Sequence, residues 1–192
     1  SKPLADAEGP ISGTEYMTHN NLRGSVWTFL FRKEILHDLR FPKGLFHEDE
    51  EFVPQIMLRA ESIYTTNNKA YFYRKRENST MHKRDKRWHI RRLSDAEQVI
   101  YHLKERVDYL PVKERIAMER RIAQLTMDHI YNVITMTHDE THLNHVLQRL
   151  SRHGLFPLPD KDYTSKYKWF RRMTNSSFGR KTLIMLLRLN KG

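Results

Sequence analysis

The spacing of hydrophobic positions changes once along this chain, and the change divides it. From Leu93 through Ala96, Ile100, Leu103 and Val107 the apolar side chains step by three and four, as one face of a helix requires. Pro111 is placed to open a second helix carrying Val112, Ile116, Ile122, Ala123, Leu125, Ile130 and Val133. A third helix carries Leu143, Val146, Leu147 and Leu150, and Gly154 stops it. The breaks between these helices are short, which predicts antiparallel packing. Leu155-Phe156-Pro157-Leu158-Pro159 reads as a rigid connector, and the basic, aromatic stretch from Lys166 ends in a last amphipathic helix.

Before Met81 the pattern is different. Residues 1–10 are small, polar and bounded by proline, so they read as a loose lead-in. Gly24 to Phe31 is β-branched and aromatic, which predicts a buried strand over 25–31 leading into a short helix through Leu39. Ser62 to Thr66 and Ala70 to Arg74 read as two more strands around an Asn67-Asn68 turn. Before these two, Phe52, Val53, Ile56, Met57 and Ala60 mark a helix over residues 50–61, with Pro54 expected in its first turn, where no N–H is needed. The predicted fold is therefore α+β but mainly helical, with a mixed region over residues 1–82 and a helical one over 83–192.

Composition narrows what such a fold does. In 192 residues, 39% hydrophobic content supports a real core and argues against disorder. Lys and Arg number 34 against 23 acids, a net charge of +11, which points to an anionic partner: nucleic acid, a nucleoside diphosphate or an anionic membrane face. The absence of cysteine excludes disulfides and thiolate zinc sites. No apolar run reaches the roughly 18 residues that span a bilayer, and Ser1 to Asp6 is not a secretory signal. A start on Ser fits a processed product or a piece of a longer chain.

Against that positive balance stands Phe46-His47-Glu48-Asp49-Glu50-Glu51-Phe52, four consecutive carboxylates between aromatics. Set at a helix start, they have two readings. They answer the positive end of the helix dipole, or one of them is a catalytic base held at the mouth of a cleft. Three other clusters read as surface. His138, His142 and His145 share a helix, but Leu143, Val146 and Leu147 define its buried side and turn the imidazoles outward. The run from Lys83 to Arg92 is basic with one tryptophan, a nucleic-acid feature in isolation but without a reading motif. Asp160-Lys161-Asp162 sits in the proline-rich connector and reads as a decoy for metal.

In order, residues 11 to 82 present Ile11-Ser12-Gly13, Val26-Trp27, Phe41-Pro42, His47-Glu48-Asp49 and then Tyr73-Arg74-Lys75-Arg76 with Ser79 and Met81. This succession resembles the acceptor-binding half of a family 2 glycosyltransferase of the GT-A fold. The resemblance implies inverting transfer of a sugar from a nucleotide sugar to a glycan or lipid-linked acceptor. Asp49 would be the general base, and Trp27, His47 and Glu48 would line the acceptor side. Arg74 and Arg76 would face the leaving diphosphate, with Ser79 near it and His82 as a metal ligand. A single displacement needs one carboxylate, unlike glycoside hydrolysis, which needs two.

The family's nucleotide-binding half, with the Asp-x-Asp pair that holds manganese or magnesium, has no counterpart before Ile11. The chain then reads as the C-terminal part of such an enzyme, inactive alone, cytoplasmic and peripheral on the inner face of the membrane. An exposed edge at residues 25–31 would invite pairing with a second copy. The last helix, with Arg180, Lys181, Arg188 and Lys191 on one arc and Trp169 to Arg172 just upstream, suits an anionic membrane surface. The alternative is a non-enzymatic basic helical module that binds a membrane surface or nucleic acid.

Overall fold

A computed structural model of the protein describes residues 10–66, 71, 72, 74 and 86–189. Among these residues there is no β-strand, and the expected α+β arrangement with GT-A acceptor-side strands is corrected to an all-helical one. Seven α-helices are described: α1 Gly13–His19, α2 Glu48–Arg59, α3 Lys86–Val107, α4 Val112–Thr137, α5 Glu140–Arg152, α6 Ser165–Asn175 and α7 Ser177–Leu189. Short 3-10 turns occupy Val26–Thr28 and Lys33–Leu36.

The missing strands have a physical cause. β-branched and aromatic residues favour a pleated surface, but a strand exists only where a neighbouring backbone meets its N–H and C=O groups. At residues 25–31 the backbone bonds are local instead: the Thr28 N–H donates to the Ser25 carbonyl at 3.1 Å, and the Phe29 N–H to the Val26 carbonyl at 3.1 Å. Leu30 projects fully into solvent rather than into a sheet. Of Ser62 to Thr66 only Ile63 pairs, in one antiparallel bridge to Ile11. The third expected strand lies partly outside the described residues, and Tyr71, Phe72 and Arg74 are not in a strand.

Helix α2 begins at Glu48, earlier than expected, so Pro54 falls in its second turn. The absent proline N–H leaves one ladder bond to the Glu50 carbonyl unmade. Side-chain caps mark the starts of α1, α5 and α6: Ser12 Oγ accepts from the Glu15 N–H at 3.1 Å, Asp139 Oδ1 from Thr141 and His142, and Thr164 Oγ1 from Tyr167 at 3.1 Å. Gly154, at φ +67, ends the run after α5 as expected.

The two halves of the chain share one core. Helix α4 is its axis, with α3, α1, α5, α6 and α7 against it and α2 wedged between α1, α3 and α4. Met17, Phe52 and Val53 from the first half belong to the same buried cluster as Ile100, Leu103 and Ile130 from the second. The crossing of α1 and α2 depends on Gly13. Its N–H donates to the Ala60 carbonyl at 2.8 Å, and a Cβ there would lie 1.8 Å from the Met57 carbonyl oxygen. The Ile11-Ser12-Gly13 segment is therefore a bridge, a cap and a close approach in succession.

Candidate functional site

The acidic stretch is delivered by a loop that α3 clamps from outside. Gly44 turns the chain at φ +78, and Arg91 Nη2 donates to its carbonyl at 2.9 Å. The Phe46 N–H donates to Asp95 Oδ2 at 2.9 Å. The Phe46 ring lies under the Arg91 guanidinium, 5.2 Å from its centroid, with Trp88 edge-on at 5.9 Å. His47 then takes a left-handed conformation, φ 65, and starts α2 by accepting the Glu50 N–H on its carbonyl at 3.0 Å. For a side chain with a Cβ that conformation costs on the order of 1 kcal/mol, which the clamp around Phe46 offsets.

The four carboxylates turn in different directions and meet different partners. Glu51 is buried, with Oε2 2.8 Å from His102 Nδ1 on α3. Glu50 forms an ion pair with the buried Arg121 of α4. Arg121 also donates to the Leu22 carbonyl and, at 2.9 Å, to Gln124 Oε1. The chain passes so near Glu50 at Gly24 that a Cβ there would lie 2.1 Å from the carboxylate. Glu48 is exposed. Asp49 is half-buried, and its proton affinity is raised first by burial and then by the neighbouring Glu48 charge, against opposing bonds from backbone N–H groups and the Arg121 charge.

Charge near Asp49 is mixed. Arg92 of α3 feels its field and stacks over the Trp88 ring, 4.7 Å from the centroid. His47 is held down to about 4, by burial first and by Arg92 second, so its imidazole is neutral at physiological pH. The arrangement offers one partly accessible carboxylate with increased basicity, a neutral imidazole and a guanidinium at the mouth of a helix.

Of the residues singled out from sequence, His47, Glu48 and Asp49 stand together at the start of α2. Trp27 lies on the 3-10 turn that packs against α2, and its ring stacks on Tyr71 with centroids 5.0 Å apart. Arg74 is exposed, and Arg76, Ser79 and His82 lie outside the described residues. Sequence reasoning missed Trp88, Arg91, Arg92, Asp95 and Arg121. For those on α3 the signal was the basic run from Lys83 to Arg92, whose Trp88, Arg91 and Arg92 share one helical face with Asp95 just beyond it, and Arg91 and Asp95 hold the acidic loop.

The divalent metal implied by the family resemblance is not matched by the residues described. No group of three His, Cys, Asp or Glu among them is arranged to hold a metal ion. Asp160 and Asp162 instead pair with Arg171 at 3.0 Å and Lys168 at 2.7 Å. His142 and His145 of α5 are exposed, as their spacing implied, but His138 is half-buried at the left-handed end of α4, so the three histidines do not share one helix. No family model, curated protein or solved structure matches the chain.

Proposed function

We propose that this chain is the acceptor-side part of an inverting sugar transferase of the family 2 type, with Asp49 as general base. The observation that carries the reading is the separation of the four acids. Burial raises the proton affinity of both Glu50 and Asp49, but Glu50 and Glu51 are committed to Arg121 and His102, while Asp49 stays partly open. A base that removes a hydroxyl proton works best when its own affinity approaches the working pH, and burial moves Asp49 in that direction. The order of the motifs from Ile11 to Met81 supports the same class.

In this reading the acceptor hydroxyl lies against Asp49. Its oxygen attacks the anomeric carbon of the donor as its proton passes to Asp49, and the bond to the nucleoside diphosphate breaks with the electron pair leaving on the phosphate oxygen. The stacked Trp27 and Tyr71 rings offer a broad apolar face to the C–H side of a sugar ring. His47, uncharged, is a hydrogen-bonding partner for a second hydroxyl. This reading requires a nucleotide-binding segment in addition to the described residues.

The test is Asp49→Asn in the protein expressed with its upstream reading frame and assayed with nucleotide sugars. Transfer falls at least about a thousandfold while the melting temperature stays within a few degrees, because an amide keeps the local polar contacts but does not take the proton. Turnover above a few per cent of wild type removes Asp49 from this role. An upstream frame without a nucleotide-binding segment removes the transferase reading.

A further inference from the structure

Helix α7 is half core and half surface, and its surface half is unusual. Leu183 and Ile184 are buried against the bundle, and Gly179 lies under them in contact with the end of α6. On the opposite side Phe178 is 81% exposed, Met185 57% and Leu186 42%. At about 100° per residue, Phe178 and Met185 fall within about 20° of each other at the centre of the outward face. Leu186 lies on one flank, and Lys181 and Arg188 lie together on the other, both exposed, with Arg188 donating to the His138 carbonyl and Glu140 lining the same groove. Trp169, on the adjoining α6, is half exposed as well.

Charge accompanies these apolar groups. Residues 163–189 contain seven Lys and Arg and no Asp or Glu. Lys168 and Arg171 pair with the acids of the preceding connector, and the stretch remains positive. Single exposed apolar side chains are ordinary on a protein surface, but a row of them on one helix face beside cations is the pattern of an in-plane helix. No described helix is long and apolar enough to cross a membrane.

We propose that the outer face of α7 rests on an anionic membrane surface, with Phe178 and Met185 entering the headgroup boundary and Lys181 meeting lipid phosphates. The bundle supplies the other half of the helix, so α7 docks as a folded face rather than inserting from a disordered tail. This proposal is independent of the role of Asp49.

Vesicle flotation of the full 192-residue chain tests it. The protein floats with vesicles containing phosphatidylglycerol, stays behind with phosphatidylcholine alone, and is released as ionic strength rises toward 1 M, where the screening length shrinks to about 3 Å. Phe178→Ser with Met185→Ser abolishes flotation, and Lys181→Glu weakens it by about tenfold. Circular dichroism melting verifies that both variants remain folded, as expected for side chains that face solvent.

Four results overturn the proposal. One is failure of the wild-type chain to float. Another is equal flotation of the serine variant. The third is a dimer in light scattering that the serine variant dissociates while vesicles recruit nothing, which assigns the face to a second copy. Binding to a single-stranded RNA without binding to vesicles overturns it too.

Discussion

Helices α3 to α5 and the segment from residue 10 to 66 are built on opposite principles. The three helices bury one another: Leu103, Ile130, Val133, Leu143 and Leu150 are all inaccessible, and each helix presents an apolar stripe that its neighbours cover. The earlier segment has two α-helices joined by turns and extended loops, and much of its order is imposed from outside. Arg91 and Asp95 hold the acidic loop, Arg121 holds Leu22 and Glu50, and His102 and Arg106 hold Glu51 and Gln55. Where a region makes its own core, its pattern is local. Where a region is scaffolded by another, its structure depends on polar contacts fifty or a hundred residues away, and such regions are where binding and catalytic groups concentrate.

The largest expected effect tests the scaffold. Ile130→Ala removes a fully buried side chain from α4 and lowers the free energy of urea unfolding by about 2 to 5 kcal/mol, through lost burial and the cavity left behind. Because the two regions share one core, a single transition is expected by both fluorescence and circular dichroism. Two separated transitions would show that the earlier segment unfolds by itself.

Arg121→Met tests the junction and is smaller. It leaves the Glu50 carboxylate and the Leu22 carbonyl without their donor, for a loss of about 2 to 3 kcal/mol. Combining it with Glu50→Gln recovers part of that loss, since the stranded charge is gone. No recovery in the double variant would mean that the pair is not coupled.

A pH titration separates the regions more finely. The folded His47 imidazole binds its proton only near 4, while the unfolded value is near 6.5. Between those limits the unfolded chain carries a proton that the folded chain refuses. Stability therefore falls as the pH drops from 6.5 toward 4 and the contribution levels off below. Asn tolerates the left-handed backbone at this position, so His47→Asn flattens that window without breaking the turn. The helical region answers at lower pH. Burial works to raise the Glu97 carboxyl, but bonds from Arg149 and Tyr101 and the nearby His129 hold it well below the usual range. Its contribution is present above the ordinary glutamate value and disappears in stronger acid. An unchanged slope in His47→Asn sinks the first assignment.

Trp27→Ala has the smallest expected effect on folding, within about 0.5 kcal/mol, because Trp27 is 45% exposed and lies on a short turn outside the buried cluster. On acceptor binding the same change is expected to act strongly. A loss of several degrees in melting temperature with acceptor binding intact would reverse that division.

What the sequence by itself determined is the set of elements whose information is local. The three-and-four spacing from Leu93 to Leu150 and the stop at Gly154 follow from periodicity and appear where the spacing put them, and a helix over residues 50–61 was legible too, though it starts two residues earlier, at Glu48. The outward His142 and His145 follow from the same argument. Tertiary structure decided the rest. Residues 25–31 have strand-like side chains, yet a strand is a relation between two backbones, and local turns captured these residues when no second strand lay beside them among those described. The four acids are indistinguishable in a sequence. Only the approach of Arg121 and His102 from helices far along the chain gave Glu50 and Glu51 structural roles and left Asp49 partly open, because burial and charge pairing depend on what is near in space.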